Sequence, residues 1–376
     1  MSAPIDYSED SRWMAAALRL ARRGAGRTWP NPAVGAIIVA GAGAGARVVG
    51  RAVTATGGRP HAERIALRQA GDAARGATCY VTLEPCSHYG KTPPCVNALL
   101  DAGISRLVSA ITDPDPRVAG RGYRILRENG VAVVNGILSD AAQWHHRGHF
   151  MRITRGRPHT VLKLAISSDG GIGRQGAGQV PITGAEVKRD VHLVRAETDA
   201  IMVGVGTVLA DDPQLTCRIE GLEDRSPVRV VLDTQARTPL DSKLVRTAQT
   251  TPTWILASDR ADDSKVEALR MSGVRVFVVP FDETERLCLH TALSVLGEQG
   301  ITTVLIEGGA KLAESLIRSN LADLVDFYHA THVIGDGRIP ALNTLPLECV
   351  TASDRYVRIG DRMIGHDKLH QYKRVA

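Results

Sequence analysis

His61 and Glu63 stand two residues apart in His61-Ala62-Glu63, and two cysteines bracket Cys86-Ser87-His88-Tyr89-Gly90-Lys91-Thr92-Pro93-Pro94-Cys95. These are three zinc-type ligands and one carboxylate that can stay out of the coordination sphere. A structural zinc is usually closed by four protein ligands, whereas a catalytic one keeps its fourth position for water. His61, Cys86 and Cys95 supply three. Zinc brings the pKa of water toward neutrality, and a carboxylate beside it can take the proton and return it to a leaving amine. Hydrolytic deamination of an amino-substituted ring needs both acts, so the first reading is a zinc deaminase with Glu63 as proton shuttle. Each motif alone is weak. A lone His-Ala-Glu often only begins a helix, and eight residues between cysteines is looser than the Cys-x-x-Cys of most zinc sites. Together, with Pro85 ahead of Cys86, they carry the reading.

The elements that must position these residues follow from pattern. Both segments look like helix starts, one after the turn Gly57-Gly58-Arg59-Pro60 and one after a strand from Thr78 to Thr82. A helix N-terminus favours thiolate and carboxylate. Ser8 to Arg23 reads as a helix with Met14, Leu18 and Ala21 at helical spacing and Gly24 as its stop. Strands are expected at Val34 to Val39, Arg106 to Ala110 and Val131 to Val134, and helices at Pro94 to Ala102 and Tyr123 to Asn129. The second half alternates again. Its expected strands are Val161 to Ala165, Ala200 to Gly204, Val228 to Asp233, Thr253 to Ala257, Val274 to Val279 and Thr303 to Ile306, with helices at Gly184 to Glu197, Glu283 to Leu296 and Gly309 to Ser319. Such alternation predicts an α/β protein with sheets layered by helices. Gly308 and Gly309, after a strand and before a helix, let backbone approach a phosphate. No Gly-x-Gly-x-x-Gly fingerprint is present, and Gly204-Val205-Gly206 is read as a turn. A polar stretch near 136–158 carries His145, His146 and His149, with His159 just beyond. No second cluster of carboxylates or thiols accompanies them, and a surface or interface role is expected.

The run Thr82-Leu83-Glu84-Pro85-Cys86 through Cys95, with Asn31-Pro32-Ala33-Val34-Gly35 upstream and Asp113-Pro114-Asp115-Pro116-Arg117-Val118-Ala119-Gly120-Arg121-Gly122 downstream, resembles the deaminase half of the bifunctional riboflavin-biosynthesis deaminase/reductase family. The second half matches as well, at Leu162-Lys163-Leu164-Ala165, Ser168-Asp169-Gly170, Ile182-Thr183-Gly184, Arg195-Ala196-Glu197, Gly206 through Pro213 and Glu307-Gly308-Gly309. The resemblance covers nearly the whole chain. It implies an N-terminal cytidine-deaminase-like α/β/α domain over residues 1–140, a linker at 141–158, and a C-terminal dihydrofolate-reductase-like α/β domain over 159–376. It also implies one zinc ion per chain and NADPH.

Carried over position by position, the resemblance gives Asn31, His88, Lys91 and Thr92 to the pyrimidine and its phosphoribosyl arm in the deaminase. In the reductase it places Lys163, Gln179, Leu215 and Glu307 around the substrate, and Arg195 with Arg218 on the substrate phosphate. Two guanidinium forks do suit a phosphate dianion. Ala165, Pro181, Thr207, Asp211, Thr234, Gly308 and Gly309 line the NADPH. The chain departs from the family pattern at Thr54, where His is frequent, at Arg64-Ile65 after the zinc motif, at Gln179 in place of Ser and at Pro181 in place of Trp.

Length and charge agree with this reading. A chain of 376 residues is a prior for two domains. A net charge of +6 is modest and its basic residues are scattered, which suits phosphorylated small molecules and requires no nucleic acid. Neither a signal peptide nor a membrane span is expected, since the start is acidic and polar and no apolar run approaches ~20 residues. Six cysteines without a paired pattern point to a reducing cytoplasm. A homo-oligomer acting on phosphoribosyl pyrimidines is expected, deaminating the 2-amino group of the diaminopyrimidinone and then reducing the ribosyl chain. A cytidine-type deaminase fused to an unrelated domain, and a zinc-stabilised nucleotide binder without turnover, are the rival readings.

Overall fold

The computed structural model describes residues 8–90, 93–178, 180–281 and 286–375. The chain divides into two compact units, Met1–Gly156 and Arg157–Ala376.

The first unit runs α1 (Ser8–Arg22), β1 (Gly35–Ala40), β2 (Arg47–Val53), α2 (Ala62–Ala70), β3 (Thr78–Val81), α3 (Cys95–Asp101), β4 (Arg106–Ser109), α4 (Arg121–Glu128), β5 (Ala132–Asn135), α5 (Ser139–His145) and α6 (Arg147–Arg155). Its five strands lie in the order β2-β1-β3-β4-β5. β1 is antiparallel to β2 and β3, while β3, β4 and β5 are parallel. Alternate residues of β1 face opposite ways. Ala36 and Ile38 pack with Ala62, Ala66, Val96, Leu99 and Leu126 of α2 to α4. Ile37 and Val39 pack with Met14, Ala17 and Leu18 of α1 and Ala142 of α5. The result is a three-layer α/β/α unit. Two glycines set how closely its helices lie on the sheet: a Cβ on Gly35 would sit 2.1 Å from the Ala17 carbonyl oxygen, and one on Gly50 would sit 2.1 Å from that of Ala66. Backbone against backbone fixes the depth of α2, which carries the acid of the site.

The stretch expected as a linker is helical. α5 and α6 close on the unit through Ala142, His146, His149 and Phe150, spaced as one face of successive turns. His145 Nε2 lies 2.7 Å from the Ala33 carbonyl, His146 Nε2 3.1 Å from Thr82 Oγ1, and His149 Nε2 3.2 Å from the Asp113 carboxylate. These three histidines are therefore packing groups of the first unit, which corrects the surface role expected for them.

The second unit contains β6 (His159–Ile166), β7 (Gly171–Arg174), α7 (Ala185–Ala196), β8 (Ala200–Gly204), α8 (Val205–Asp211), β9 (Val228–Leu232), α9 (Lys243–Arg246), β10 (Thr253–Ala257), α10 (Asp263–Met271), β11 (Arg275–Val278), α11 (Leu289–Glu298), β12 (Thr303–Ile306), α12 (Ala310–Arg318), β13 (Leu324–His329), β14 (Arg338–Pro340), α13 (Glu348–Thr351), β15 (Tyr356–Ile364) and β16 (Asp367–Arg374). Nine strands form one sheet in the order β11-β10-β9-β8-β12-β6-β13-β16-β15. The seven from β11 to β13 are parallel, and β16 and β15 continue it antiparallel. Val161, Ile201, Val203, Val231, Ile255 and Leu305 bury one face against Leu244, Val245, Val266 and Leu269. Arg157 holds Asp323 by two bonds of 2.7 and 2.8 Å, and with Thr160 this fastens the start of β6 to β13. Gly204-Val205-Gly206, expected as a turn, is the end of β8 running straight into α8.

Candidate active sites

Three chain segments meet at the zinc-type cluster. His61 caps α2 in extended conformation, Glu63 occupies the first turn, Cys95 opens α3, and Cys86 lies in the segment after β3. His61 Nδ1 is 3.6 Å from Cys86 Sγ and 3.4 Å from Cys95 Sγ, and all three ligand atoms lie within 4.8 Å of one another. A tetrahedral zinc with Zn–N of ~2.1 Å and Zn–S of ~2.3 Å sets nitrogen and sulfur roughly 3.6 Å apart. The cluster fits that ion. Glu63 is buried, and its Oε2 has no hydrogen-bond partner among the described residues. Its charge is felt by, and feels, His61, Cys86 and Cys95, so the acid stands beside the cluster.

The electrostatics agree. A hydrogen bond from Cys95, aided by His61 and outweighing burial, brings the Cys86 thiol down to about 4, while Cys95, hydrogen-bonded to that thiolate and buried, is pushed up. The Cys95 backbone N–H donates to Cys86 Sγ at 3.3 Å. Burial raises the Glu63 carboxyl despite the neighbouring His61, which moves it toward the range a proton shuttle needs.

Around the cluster, the Asn31 amide donates to the Gly58 carbonyl at 2.8 Å, which orients it three residues ahead of His61. His88 is half-buried, and its Nδ1 has no partner among the described residues. Lys91 and Thr92 lie outside the described residues. Thr54, at the position of a frequent family histidine, is buried, and its hydroxyl accepts the Val34 N–H at 3.0 Å, so it serves the scaffold. Sequence reasoning passed over Glu84. Its carboxylate accepts backbone N–H groups of Gly120 at 2.9 Å and Gly122 at 3.0 Å, with Asp113 at 3.4 Å, and so folds the downstream loop around the cysteine segment. A carboxylate two residues before a ligand, with glycines far downstream, was the available signal.

In the second unit Lys163, Ala165 and Glu307 lie near the carboxyl ends of adjacent parallel strands, where open α/β sheets bind ligands. Lys163 and Ala165 share one face near the end of β6, and Glu307 follows β12, one strand over. Arg195 of α7 holds Glu307 by Nε at 2.7 Å and Nη2 at 2.9 Å, and Lys163 Nζ stands 4.0 Å from the same carboxylate. Burial alone would raise the Glu307 carboxyl, but the Arg195 and Lys163 charges bring it down to about 2. Burial lowers the Lys163 ammonium, and its Nζ lies 5.7 Å from the centre of the Tyr328 ring, a contact not expected from sequence. Arg195 also donates to the Thr216 carbonyl at 3.1 Å, so among the described residues three of its five N–H groups are engaged.

Leu215 adopts a left-handed backbone with φ of 53° and its side chain is buried, so only its backbone is offered to a ligand. Arg218 is exposed. Gln179 lies outside the described residues.

Gly309 caps α12, and a Cβ placed there would meet nothing within 4 Å. The same is true of Gly204 and Gly206. Thr207 is half-buried on α8 and Asp211 ends that helix. Thr234 follows β9, its carbonyl receiving both the N–H and the hydroxyl of Ser258. Gly308 is buried, and a Cβ there would press within 2.6 Å of Leu312. Pro181 is exposed ahead of α7. This glycine-lined edge beside a helix N-terminus fits the extended, phosphate-bearing NADPH.

Fold and sites thus define a two-unit enzyme, a zinc-site deaminase followed by a nucleotide-cofactor reductase. Residues 7–111 match the cytidine and deoxycytidylate deaminase zinc-binding region, and residues 158–352 match the RibD C-terminal domain. The chain is 40% identical over 332 residues to the riboflavin biosynthesis protein RibD of Bacillus amyloliquefaciens, spanning 88% of this chain and 86% of that one. It is 38% identical over 350 residues to the RibD of Escherichia coli K12, covering 90% and 92%. Among solved structures, Acinetobacter baumannii RibD matches with a TM-score of 0.86 at 34% identity over 99% of this chain and 100% of that one. A Thermotoga maritima diaminohydroxyphosphoribosylaminopyrimidine deaminase/5-amino-6-(5-phosphoribosylamino)uracil reductase matches at 0.82 and 30%, over 97% and 98%. The chain belongs to the RibD family of bifunctional deaminase/reductases of riboflavin biosynthesis, which use zinc and NADPH. No helix among the described residues is long and apolar enough to cross a membrane.

Proposed function

We propose that the first unit hydrolyses the 2-amino group of 2,5-diamino-6-(5-phosphoribosylamino)pyrimidin-4(3H)-one, and that the second reduces the resulting 5-amino-6-(5-phosphoribosylamino)uracil to its ribitylamino form. The observation that carries the deaminase step is His61 Nδ1 at 3.4 and 3.6 Å from two sulfurs, with an unpartnered Glu63 oxygen beside them. Bound zinc would be held by His61, Cys86 and Cys95 and supplies the Lewis acidity that lets water attack at neutral pH. Glu63 takes the water's proton on Oε2 and returns it to the departing amine. Asn31 and His88, with Lys91 and Thr92, hold the pyrimidine and its arm.

In the reductase, bound NADPH supplies the hydride. Ala165, Pro181, Thr207, Asp211, Thr234, Gly308 and Gly309 line it. Lys163 and Glu307 face the ribosyl carbon, and the Leu215 backbone and Gln179 contribute to binding the same substrate. Arg218 and Arg195 take the 5-phosphate. The proposed boundary between the activities follows the compact units at Gly156–Arg157. A homo-oligomer is supported by the outer strand β15, which exposes Val357, Ile359 and Met363. A cytoplasmic setting is supported by six cysteines that no disulfide joins among the described residues.

A coupled assay tests the reading. Ammonia release from the diaminopyrimidine followed by NADPH oxidation is expected; deamination of cytidine without NADPH oxidation would replace the reading with a nucleoside deaminase.

A further inference from the structure

Two basic side chains converge on one backbone carbonyl in the second unit, and a third, Arg218, reaches one of them. The Thr216 oxygen accepts from Arg195 Nη1 at 3.1 Å and lies 3.1 Å from His192 Nδ1. His192 sits on α7 one turn before Arg195, and its other nitrogen, Nε2, is 3.5 Å from Arg218 Nη2. The Arg218 backbone N–H also points at Nδ1, at 3.3 Å. One tautomer satisfies two of the three contacts: Nδ1–H donates to Thr216, and Nε2 accepts from the Arg218 guanidinium. Arg218 is further steadied by Gln214 Oε1 at 3.2 Å. The imidazole therefore occupies the space between two guanidinium groups. The one carboxylate among the charges acting on it, Glu307, is spent on Arg195 and Lys163.

We propose that His192 is the third member of the substrate-phosphate cradle and takes up a proton as the phosphate binds. The proposal rests on the assignment of Arg195 and Arg218 to that phosphate. Without a ligand, burial, and then the Arg195 and Arg218 charges, hold the imidazole neutral, against the smaller pull of the Thr216 carbonyl and Glu307. A phosphate dianion drawing Arg218 toward itself vacates Nε2 and cancels the two positive charges. Both changes favour N–H at Nε2, which then donates to a phosphate oxygen. The proton comes from solvent, so binding and proton uptake are linked. His192 thereby separates a phosphorylated ribosyl chain from an unphosphorylated one, because only the former supplies the charge that makes it a donor.

Two measurements on the full-length, zinc-loaded enzyme test this. The first is the Michaelis constant for 5-amino-6-(5-phosphoribosylamino)uracil and for its dephosphorylated counterpart in wild type, His192→Gln and Arg218→Ala. A lost charge-assisted bond should raise the constant for the phosphorylated form about ten-fold more than for the other in His192→Gln. The second is calorimetry with ribose 5-phosphate at pH 7.5 in two buffers of different ionisation enthalpy. Wild type should take up a fraction of a proton per ligand bound, and His192→Gln none. If Arg218→Ala loses the phosphate preference while His192→Gln keeps it, or if both His192 forms take up the same proton, His192 is not in the cradle. If Arg218→Ala keeps the full preference as well, the phosphate assignment itself falls.

Discussion

Arg195 and Glu307 face each other through two parallel bonds of 2.7 and 2.9 Å, with side chains only 12% and 13% exposed. A pair so buried is costly to break from one side, because Glu307 is then left charged with only Lys163, 4.0 Å away, to offset it. Arg195→Ala should therefore cost the reductase unit roughly 3–5 kcal/mol of stability. Arg218→Ala, at an exposed site, should leave its melting temperature nearly unchanged. Thermal unfolding of the two variants side by side checks this. Equal melting temperatures would mean that Glu307 finds another partner.

The metal assignment predicts about one zinc per chain. Cys86→Ala should lose most of it, since two ligands hold zinc poorly where three are required. Metal content after dialysis is the measurement, and full retention would overturn the ligand set.

Glu63→Gln keeps size and hydrogen bonding while removing the base. Zinc content should stay at the wild-type level, and deamination should fall by a factor on the order of 10² or more. Reduction of the deaminated intermediate supplied from outside should continue. An undiminished deamination rate would take Glu63 out of the mechanism.

The histidines of α5 and α6 predict the acid response of the first unit. Burial lowers His146 well below its ordinary 6.5, and lowers His145 as well. A depressed folded-state pKa means that the unfolded chain binds more protons, so this contribution to stability is full above pH ~6.5 and declines as pH falls below it. Urea unfolding of the first unit should show lower stability at pH 5.5 than at 7.5, and His146→Asn should flatten that difference. In the second unit, burial raises the Asp323 carboxyl, but Arg157 and His159 bring it down to about 2. Its stabilisation is present above pH ~4 and is lost only toward pH 2, outside the same window. An identical pH dependence in wild type and His146→Asn would disprove the assignment.

Gly309→Ala adds a methyl group into open space at the head of α12. The fold should be indifferent, with an unchanged melting temperature. NADPH should bind several-fold more weakly if that space is where its phosphates lie. Unchanged NADPH affinity would move the cofactor elsewhere on the edge.

The zinc residues were legible because their chemistry permits few other uses of His, Cys and Glu at that spacing. The parallel strands were legible as apolar runs, except β13 (Leu324–His329), for which no strand was expected. The helices of residues 139–155 were not, because the face they bury is built from Ala142, His146, His149 and Phe150, and histidine counts as polar in any periodicity. β15 was hidden for the opposite reason. It lies at the sheet margin and exposes Arg358, Asp361 and Arg362, so no alternation marks it. Glu84 and His192 act through distant partners, Gly120 and Arg218, which only the fold brings near.

The strand order of the second unit also sets a schedule on the ribosome. β6 is the first strand of that sheet to be made, yet its neighbours are β12 and β13, which end at His329. Until they emerge, Lys163 is flanked by two bare ladders, and the earliest strand waits for two made much later. The first unit has every one of its strands by Asn135 and its closing helices by Arg155. Domains tend to fold as they leave the ribosome, and long-range pairings come late. A nascent chain would accordingly hold a folded deaminase scaffold well before it could hold a reductase, and the interval between the two is when exposed strand edges are open to chaperones or to mispairing.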